Sequence, residues 1–493
     1  MMVRVLSSNV LRLKRAATIL LPLICLSCGE TYRPVANPVT PNPPNPSFSH
    51  VAVVLSGNGP NNAGASTSID VSGDTAVSQA TVGLMPSFAA LAANGTRVYV
   101  TNSLDDTVSE FSPASPTPVI TISLPAGSVP SFAGTAEALT VYVANSGAGN
   151  VSAISINSDV ITNTIPVGVN PVALVETPLT AVSGPQKIYV ANQGGSVSVI
   201  SSLDKSVSTA IGTWTSPVWA AARSDANRVY ILDSAAGTVS AIDTSVDTEL
   251  PTTASVGAGA NFMAYDPVQN RLYVTNPVAN LLSIIDVSND ALTTLAVAVT
   301  APVSAAVLPD GSRVYVASAS AGGGFVNSSV SVINAGNLSI ETTIPLAHVA
   351  QSCVSSRFEL SAAASADGTR VYVGNCDAGN TTIIQTTSDT VVVNLPAPTS
   401  AAPASTISVT AAVQSSSNTT YNYVLTSGPA LHLGMNVVVE NMANVGDDGT
   451  FPVVALGAGT FTVVNPNGLT ASGQSGTGTA TTPQNPVFVV AGP

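Results

Sequence analysis

Three histidines, His50, His348 and His432, make up the whole imidazole complement of a 493-residue chain. No two of them stand at a metal-ligand spacing such as i, i+4 on one element, and copper or haem chemistry would call for more ligands of this kind. His348 is the one with reactive company, because Cys353 and Arg357 follow it in the same long excursion between two repeats. The acidic stretches Asp70-Val-Ser-Gly-Asp74 and Leu104-Asp105-Asp106 each fall short of the six or more oxygens of a calcium loop. Their composition reads as hairpin turns closed by aspartate hydrogen bonds. There is no Gly-x-Ser-x-Gly elbow and no glycine loop ending in Lys to cradle phosphate. No catalytic, metal-binding or cofactor-binding set is assigned from these residues.

The cysteines say more. Arg4, Arg12, Lys14 and Arg15 precede an apolar run from Ala16 to Leu26 and then Ser27-Cys28-Gly29, the layout of a bacterial export signal too short to span a bilayer. A small residue directly before Cys28 resembles a lipobox, in which the thiol takes a diacylglycerol and residues 1–27 are removed as a lipoprotein signal peptide. Cys25 stands where that motif usually has Leu, so cleavage without lipidation is the alternative. Four of the 14 basic residues and none of the 27 acidic ones leave with the leader, which takes the net charge from −13 to −17. Such a surface repels nucleic acid and anionic lipid, so membrane attachment falls to the lipid on Cys28. Cys353 and Cys376 are then the only thiols left, and an oxidising compartment favours their pairing over two free buried cysteines.

The elements that position these residues are strands. Charged residues are 8% of the chain and hydrophobic ones 45%, with Val, Thr, Ser, Gly and Asn prominent, which favours an all-β protein of short strands and tight turns. The pattern Val-Tyr-Val or a relative of it recurs around Tyr99, Tyr142, Tyr189, Tyr230, Tyr273, Tyr315 and Tyr372, 41 to 57 residues apart. A period near 40 to 50 belongs to four-stranded propeller blades. Each repeat has a first strand opening on proline or a turn, as in Pro86-Ser-Phe-Ala-Ala-Leu-Ala and Pro302-Val-Ser-Ala-Ala-Val-Leu. A turn such as Asn94-Gly95, Asp310-Gly311 or Asp367-Gly368 then leads into the Tyr strand. Third and fourth pieces follow, as in Thr238-Val-Ser-Ala-Ile-Asp and Val160-Ile-Thr-Asn-Thr-Ile-Pro-Val-Gly. Blades stack face to face, so an inner strand is covered on both sides and is apolar at consecutive positions. A sandwich of unrelated hairpins does not account for one four-part order repeated seven times.

The motif, with Asn102, Asn145, Asn192, Asn276 and Asn375 closing five of the copies, resembles the YVTN family of β-propeller repeats over about residues 50 to 395. The resemblance implies an exported bacterial surface protein, commonly seven-bladed. Strand counting points to eight blades here. Val51-Ala-Val-Val-Leu-Ser, Ser68-Ile-Asp-Val-Ser and Val77-Ser-Gln-Ala-Thr-Val-Gly match the second, third and fourth pieces of a repeat, with no first piece before them. Asn485-Pro-Val-Phe-Val-Val-Ala-Gly resembles the first strands Asn170-Pro-Val-Ala-Leu-Val and Pro217-Val-Trp-Ala-Ala-Ala. A closing blade built from both chain ends removes the exposed sheet edges.

The expected organisation is a proline-rich tether at 28–48, a propeller at 49–399, an inserted small β-barrel or sandwich at 400–484 and a closing strand at 485–493. The expected function is an exported, membrane-anchored scaffold at the outer membrane or cell surface, or facing the periplasm, that binds a protein or glycan as a monomer. The alternative is a hydrolase similar to the seven-bladed lactonases, which would need acidic, basic and His groups at one channel mouth. Arg97, Arg228, Arg271, Arg313 and Arg370 do not supply them, since each sits two residues before a repeat tyrosine, a structural place rather than a unique site. The balance falls to a non-catalytic role.

Overall fold

The computed structural model describes residues 51–492, apart from 59, 93–94, 136–138, 180–185, 212, 323–324, 347–352, 354–359, 400–403, 432–434 and 483. Eight four-stranded antiparallel sheets form a closed ring. The first blade, Pro86–Leu91, Val98–Asn102, Thr107–Ser112 and Ser115–Ser123, sets the pattern, and six more follow in chain order to Pro396. The innermost strands touch their neighbours around a complete circle: Pro86–Leu91, Pro130–Thr135, Pro171–Glu176, Pro217–Ala222, Phe262–Asp266, Pro302–Val307, Leu360–Ala364 and Asn485–Ala491.

The eighth blade is shared between the chain ends. Its sheet order places Asn485–Ala491 innermost against Val51–Gly57, followed outward by Ala63–Asp70 and Thr75–Leu84. Val53 pairs with Val490, Val54 with Val489 and Leu55 with Phe488. Eight blades closed by both termini is therefore the observed architecture.

Val-Tyr-Val or its relative forms the second strand of the first seven blades, buried between neighbouring sheets. All seven repeat tyrosines are at most 1% exposed, and so are the residues on either side of each. Each blade alone would leave one such apolar face in water; stacking buries it, which is why the motif tolerates no polar alternation here.

The asparagine three residues after the tyrosine is buried as well and holds the strand's end. Asn102 Nδ2 donates to Thr107 Oγ1 and Ser109 Oγ, both at 3.0 Å. In the fifth blade Asn276 Nδ2 instead reaches the carbonyls of Val256, Gly257 and Ala258, stitching one blade to the turn that precedes it.

The segment between the seventh and eighth blades folds on itself as a six-stranded closed barrel, in the order Ser405–Ser415, Asn418–Ser427, Thr460–Val464, Gly449–Gly457, Asn436–Glu440, Ala471–Thr481. Its core is separate, built on Tyr421, Val437, Val439, Phe461 and Val463. Of the two outcomes expected for the insertion, the barrel is the one formed.

Candidate functional site

The arginines two residues before the tyrosines act across blade boundaries. Arg97 Nη1 lies 2.9 Å from both carboxylate oxygens of Asp159, in the outer hairpin turn of the next blade, and Tyr99 donates to the same carboxylate at 3.2 Å. Lys187 and Tyr189 hold Asp247 at 2.7 and 2.5 Å. Arg313 and Tyr315 hold Asp389 at 2.8 and 2.5 Å. Arg228 grips Asp290, and Arg271 donates to the Ala335 carbonyl.

Arg370 reaches Asp74 at 2.8 Å, 296 residues away, and so joins the seventh blade to the N-terminal half of the eighth. Asp74, Asp159, Asp247 and Asp389 all have φ of 52° or 53°. That left-handed turn position suits aspartate, whose short side chain stabilises it. The arginines are thus interblade clasps, as their repeated spacing implied. The partner aspartates lie 60 to 76 residues downstream, save Asp74, which stands far upstream of Arg370, and all but Asp290 directly precede an outer strand.

One register position lines the centre of the ring. It is the innermost-strand residue opposite the one two past the tyrosine, and it is Phe88, Phe132, Ala173, Trp219, Phe262, Ser304 and Ser361 in blade order. Phe488, opposite Leu55, takes the place in the closing blade. Five of the chain's twelve Phe and Trp residues sit at this level. Their rings run in a file, with centroids 4.1 Å apart for Phe488 and Phe88, 3.9 Å for Phe88 and Phe132, 5.7 Å for Phe132 and Trp219, and 4.7 Å for Trp219 and Phe262.

The small residues on the other side let the strands close in. Ser304 Oγ donates to the Leu360 carbonyl at 3.0 Å, and Ser361 Oγ accepts from Val489 N at 3.2 Å.

Beside this file, where the innermost strands end, a cavity of about 540 Å³ opens. Phe88 to Ala92 come from the first blade, Phe132 to Gly134 from the second, Leu174 to Thr177 from the third, and Phe488 and Val490 to Gly492 from the eighth, with Tyr142 and Gln186 at the side. The size and apolar lining suit a small organic group.

Much of the wall's polarity is turned to the chain itself. Thr177 Oγ1 accepts from Lys187 N at 3.0 Å, and Gln186 donates to the Thr177 carbonyl at 3.2 Å. Among the described lining residues, Glu176 is the one that bears charge. Beside it Lys205 Nζ donates to the Tyr142 hydroxyl at 2.5 Å. Burial raises the Tyr142 pKa, and the charge of Glu176 adds to the effect.

Of the residues singled out from sequence, Cys353 and Cys376 are joined in a disulfide with Cα atoms 5.7 Å apart. Cys353 N also donates to Asp377 at 2.9 Å. Cys376 follows the far end of its strand, away from the cavity. Cys28, His50, His348, Arg357 and His432 lie outside the described residues.

The two acidic stretches use their carboxylates within the chain, Asp70 in its own turn, Asp74 on Arg370, and Asp105 and Asp106 on backbone more than 20 residues away. Asp70 receives Ser72 N at 3.0 Å, Asp105 receives Leu84 N at 2.9 Å, and Asp106 receives Gly127 N and Val129 N at 2.7 Å. The cavity escaped sequence reasoning, although the aromatic after Pro-Ser or Pro-Val was visible in Pro86-Ser-Phe and Pro486-Val-Phe.

No known protein family and no curated protein matches the chain. Among solved structures it is similar to apo AztD from Citrobacter koseri, at 12% identity and a TM-score of 0.52, covering 71% of this chain and 95% of that one. It is also similar to the dihydro-heme d1 dehydrogenase NirN, at 13% identity and a TM-score of 0.51, covering 72% and 74%. At these identities the likeness is one of fold.

Proposed function

We propose that the protein is an exported lipoprotein of the YVTN type, held to a membrane through Cys28, whose ring serves as a binding scaffold. The observation that carries the binding part is the apolar cavity built from the innermost strands of four blades, floored by Phe88, Phe132 and Phe488. Its lining favours an apolar group over a sugar, because a sugar needs convergent hydrogen-bonding groups, and Thr177 and Gln186 already bond within the chain.

The anchoring part rests on the leader and Cys28, with residues 28–48 as a proline-rich spacer of about 60 Å if extended. The lipid brings the ring to a surface, and the spacer keeps its faces accessible.

Two measurements test this. Mass spectrometry of the mature N-terminus should find a diacylated Cys28, and Cys28→Ser should move the protein into the aqueous phase of a detergent partition; an unmodified N-terminus elsewhere refutes the anchor. Nile red should gain fluorescence with the folded protein, and Ala90→Trp, which fills the cavity, should abolish the gain. An unaltered signal in that variant refutes the cavity as the binding site. Turnover of aryl esters or lactones by the wild type, lost in Glu176→Gln, would replace the scaffold with the hydrolase alternative.

A further inference from the structure

The chain enters the ring at the rim of the cavity. The cavity lies where the innermost strands end, and antiparallel pairing sets the start of Val51–Gly57 at that same end, with Ala52 opposite Ala491. The Val51 carbonyl accepts from the backbone N of Gly492, a lining residue, at 2.9 Å. The barrel leaves and rejoins at the other face, since Pro396 ends an outer strand and Asn485 begins an innermost one.

The entry point also departs from the clasp pattern. Leu55 stands opposite Phe488 as Thr101 stands opposite Phe88, so Val51 holds the place that Arg97 holds in the first blade. The Arg97 side chain is 33% exposed and reaches Asp159 in the next blade, whereas Val51 is buried in the same apolar cluster as Phe88 and Leu91. The chain ahead of Val51 therefore meets an apolar rim instead of an ion pair.

Three residues before Val51 is Phe48, outside the described residues but limited in reach by the backbone, which spans at most about 10 Å over that distance. Tyr32 is the other Phe, Tyr or Trp of the spacer; the residues around Phe48 are proline, asparagine, serine and histidine. Pro46-Ser47-Phe48 repeats the triplet that delivers Phe88 and Phe132 to the cavity.

We propose that Phe48 occupies the cavity as an intrachain plug, so that an external apolar ligand binds in competition with it; the step rests on the binding reading above. The rings of Phe88, Phe132 and Phe488 are stacked on one another, so the wall that the plug meets is the aliphatic one of Leu91, Leu174, Val490 and Ala491. Burial of apolar area favours the docked ring. Attachment close to the rim adds a high effective concentration that a free ligand has to overcome. Access to the cavity is thereby coupled to the position of the spacer.

The test titrates Nile red into the whole mature protein and its variants. Phe48→Ala removes the competitor and should tighten dye binding at least about fivefold, the factor for a cavity about four-fifths plugged, while Tyr32→Ala should leave it unaltered. Phe48→Trp keeps a large ring, and its added emission, taken as the difference from wild type, should be blue-shifted and shielded from iodide at every protein concentration. Equal dye affinity in wild type and Phe48→Ala, with binding still abolished by Ala90→Trp, overturns the plug and leaves the cavity as a binding site. An added tryptophan open to iodide also overturns the plug, and shielding that is lost on dilution overturns it in favour of a second copy of the chain. Dye binding by neither wild type nor Phe48→Ala overturns both readings.

Discussion

Asp389 and Asp290 occupy comparable clasps in different surroundings, and the difference sets what each contributes. The side chains of Arg313 and Asp389 are 23% and 18% exposed, and the carboxylate also receives the hydroxyl of the buried Tyr315. Asp290 is 47% exposed and holds Arg228 alone. Asp389→Ala, which strands a buried hydroxyl and a half-buried guanidinium, should cost about 2 kcal/mol. Asp290→Ala should cost less than about 1 kcal/mol, as an exposed pair does. The check is the denaturant midpoint at unchanged slope; equal losses would show that the tyrosine bond contributes nothing. Titration limits stability at both ends. Hydrogen bonds from Ser245, Ser288 and Ser312 hold Asp243, Asp286 and Asp310 below the usual carboxylate range, as Arg228 does for Asp290. Turn hydrogen bonds take Asp204 to about 2. A folded-state pKa below the unfolded one means that the unfolded chain takes up protons first, so this stability is present above about pH 4 and is lost as pH falls toward 2. Glu110, raised by burial, has the opposite sign and offsets a small part of it. Burial raises all seven repeat tyrosines, Tyr230 to about 12. Stability from them is full below about pH 10 and is lost above it as the unfolded chain ionises. Of the eleven tyrosines, the absorbance of these seven should therefore rise together with unfolding, well above pH 10; a gradual rise centred on pH 10 that accounts for all eleven in the folded protein would overturn this.

Strand packing explains a departure in the seventh copy of the repeat. Gly374 stands where other blades have Thr101, Ala144 or Thr275. A Cβ there would lie 2.8 Å from Val489 and 3.4 Å from Pro486, both on the closing strand. The glycine lets that strand settle against the seventh blade, so Gly374→Thr should cost about 2 kcal/mol through overpacking, whereas Thr275→Gly in the fifth blade opens no such contact. A Gly374→Thr protein with an unshifted melting temperature would count against tight packing of the closing strand. The disulfide works on the same blade. Cys353 and Cys376, 23 residues apart, tie the irregular connection between the sixth and seventh blades to the end of a Tyr strand. Reduction should cost about 3 kcal/mol by the loop-entropy account, and the unreduced, denatured protein should show neither thiol to an alkylating agent. These elements divide by how far they could be read in advance. Strand order, hairpin turns and the cysteine pair depend on local pattern and redox setting, and were readable. The clasp was half readable, since Arg97 is conspicuous and Asp159 is not until blades are stacked. The cavity depends on which innermost residues share one level, and that follows from register, with its bulges between Pro86 and Phe88 and between Pro130 and Phe132.

At the scale of the whole molecule, ring closure determines stability, because every blade covers the apolar faces of two others. The accounting of strand types was sufficient to place the eighth blade: three strands without a first at one end of the chain, and a first without the rest at the other. It did not reveal how the chain can leave the ring for a barrel and return without cost to closure. The reason is a short distance at the exit, where Gln484 N donates to the Pro398 carbonyl at 2.7 Å. The excursion thus begins and ends at one place, and the barrel has its own core of Tyr421, Val437 and Phe461. Loop-closure entropy depends weakly on the length between such fixed ends. Excising 400–482 and joining the ends with two glycines should therefore leave the ring folded, with a melting temperature within a few degrees of the intact protein and the same cavity. Deleting 485–493 is a different operation. It uncovers Val53, Val54 and Leu55 along one edge, removes Phe488 from the aromatic file and leaves Gly374 facing solvent. An unpaired inner edge and exposed apolar side chains invite association between chains. The truncated protein should lose cooperative unfolding, bind hydrophobic dye and elute as aggregates, and a synthetic peptide of residues 484–493 supplied in trans should restore the elution and melting of the intact protein by pairing with Val51–Gly57. A truncated protein that melts like the intact one, without added peptide, would mean that the ring does not depend on its terminal strand.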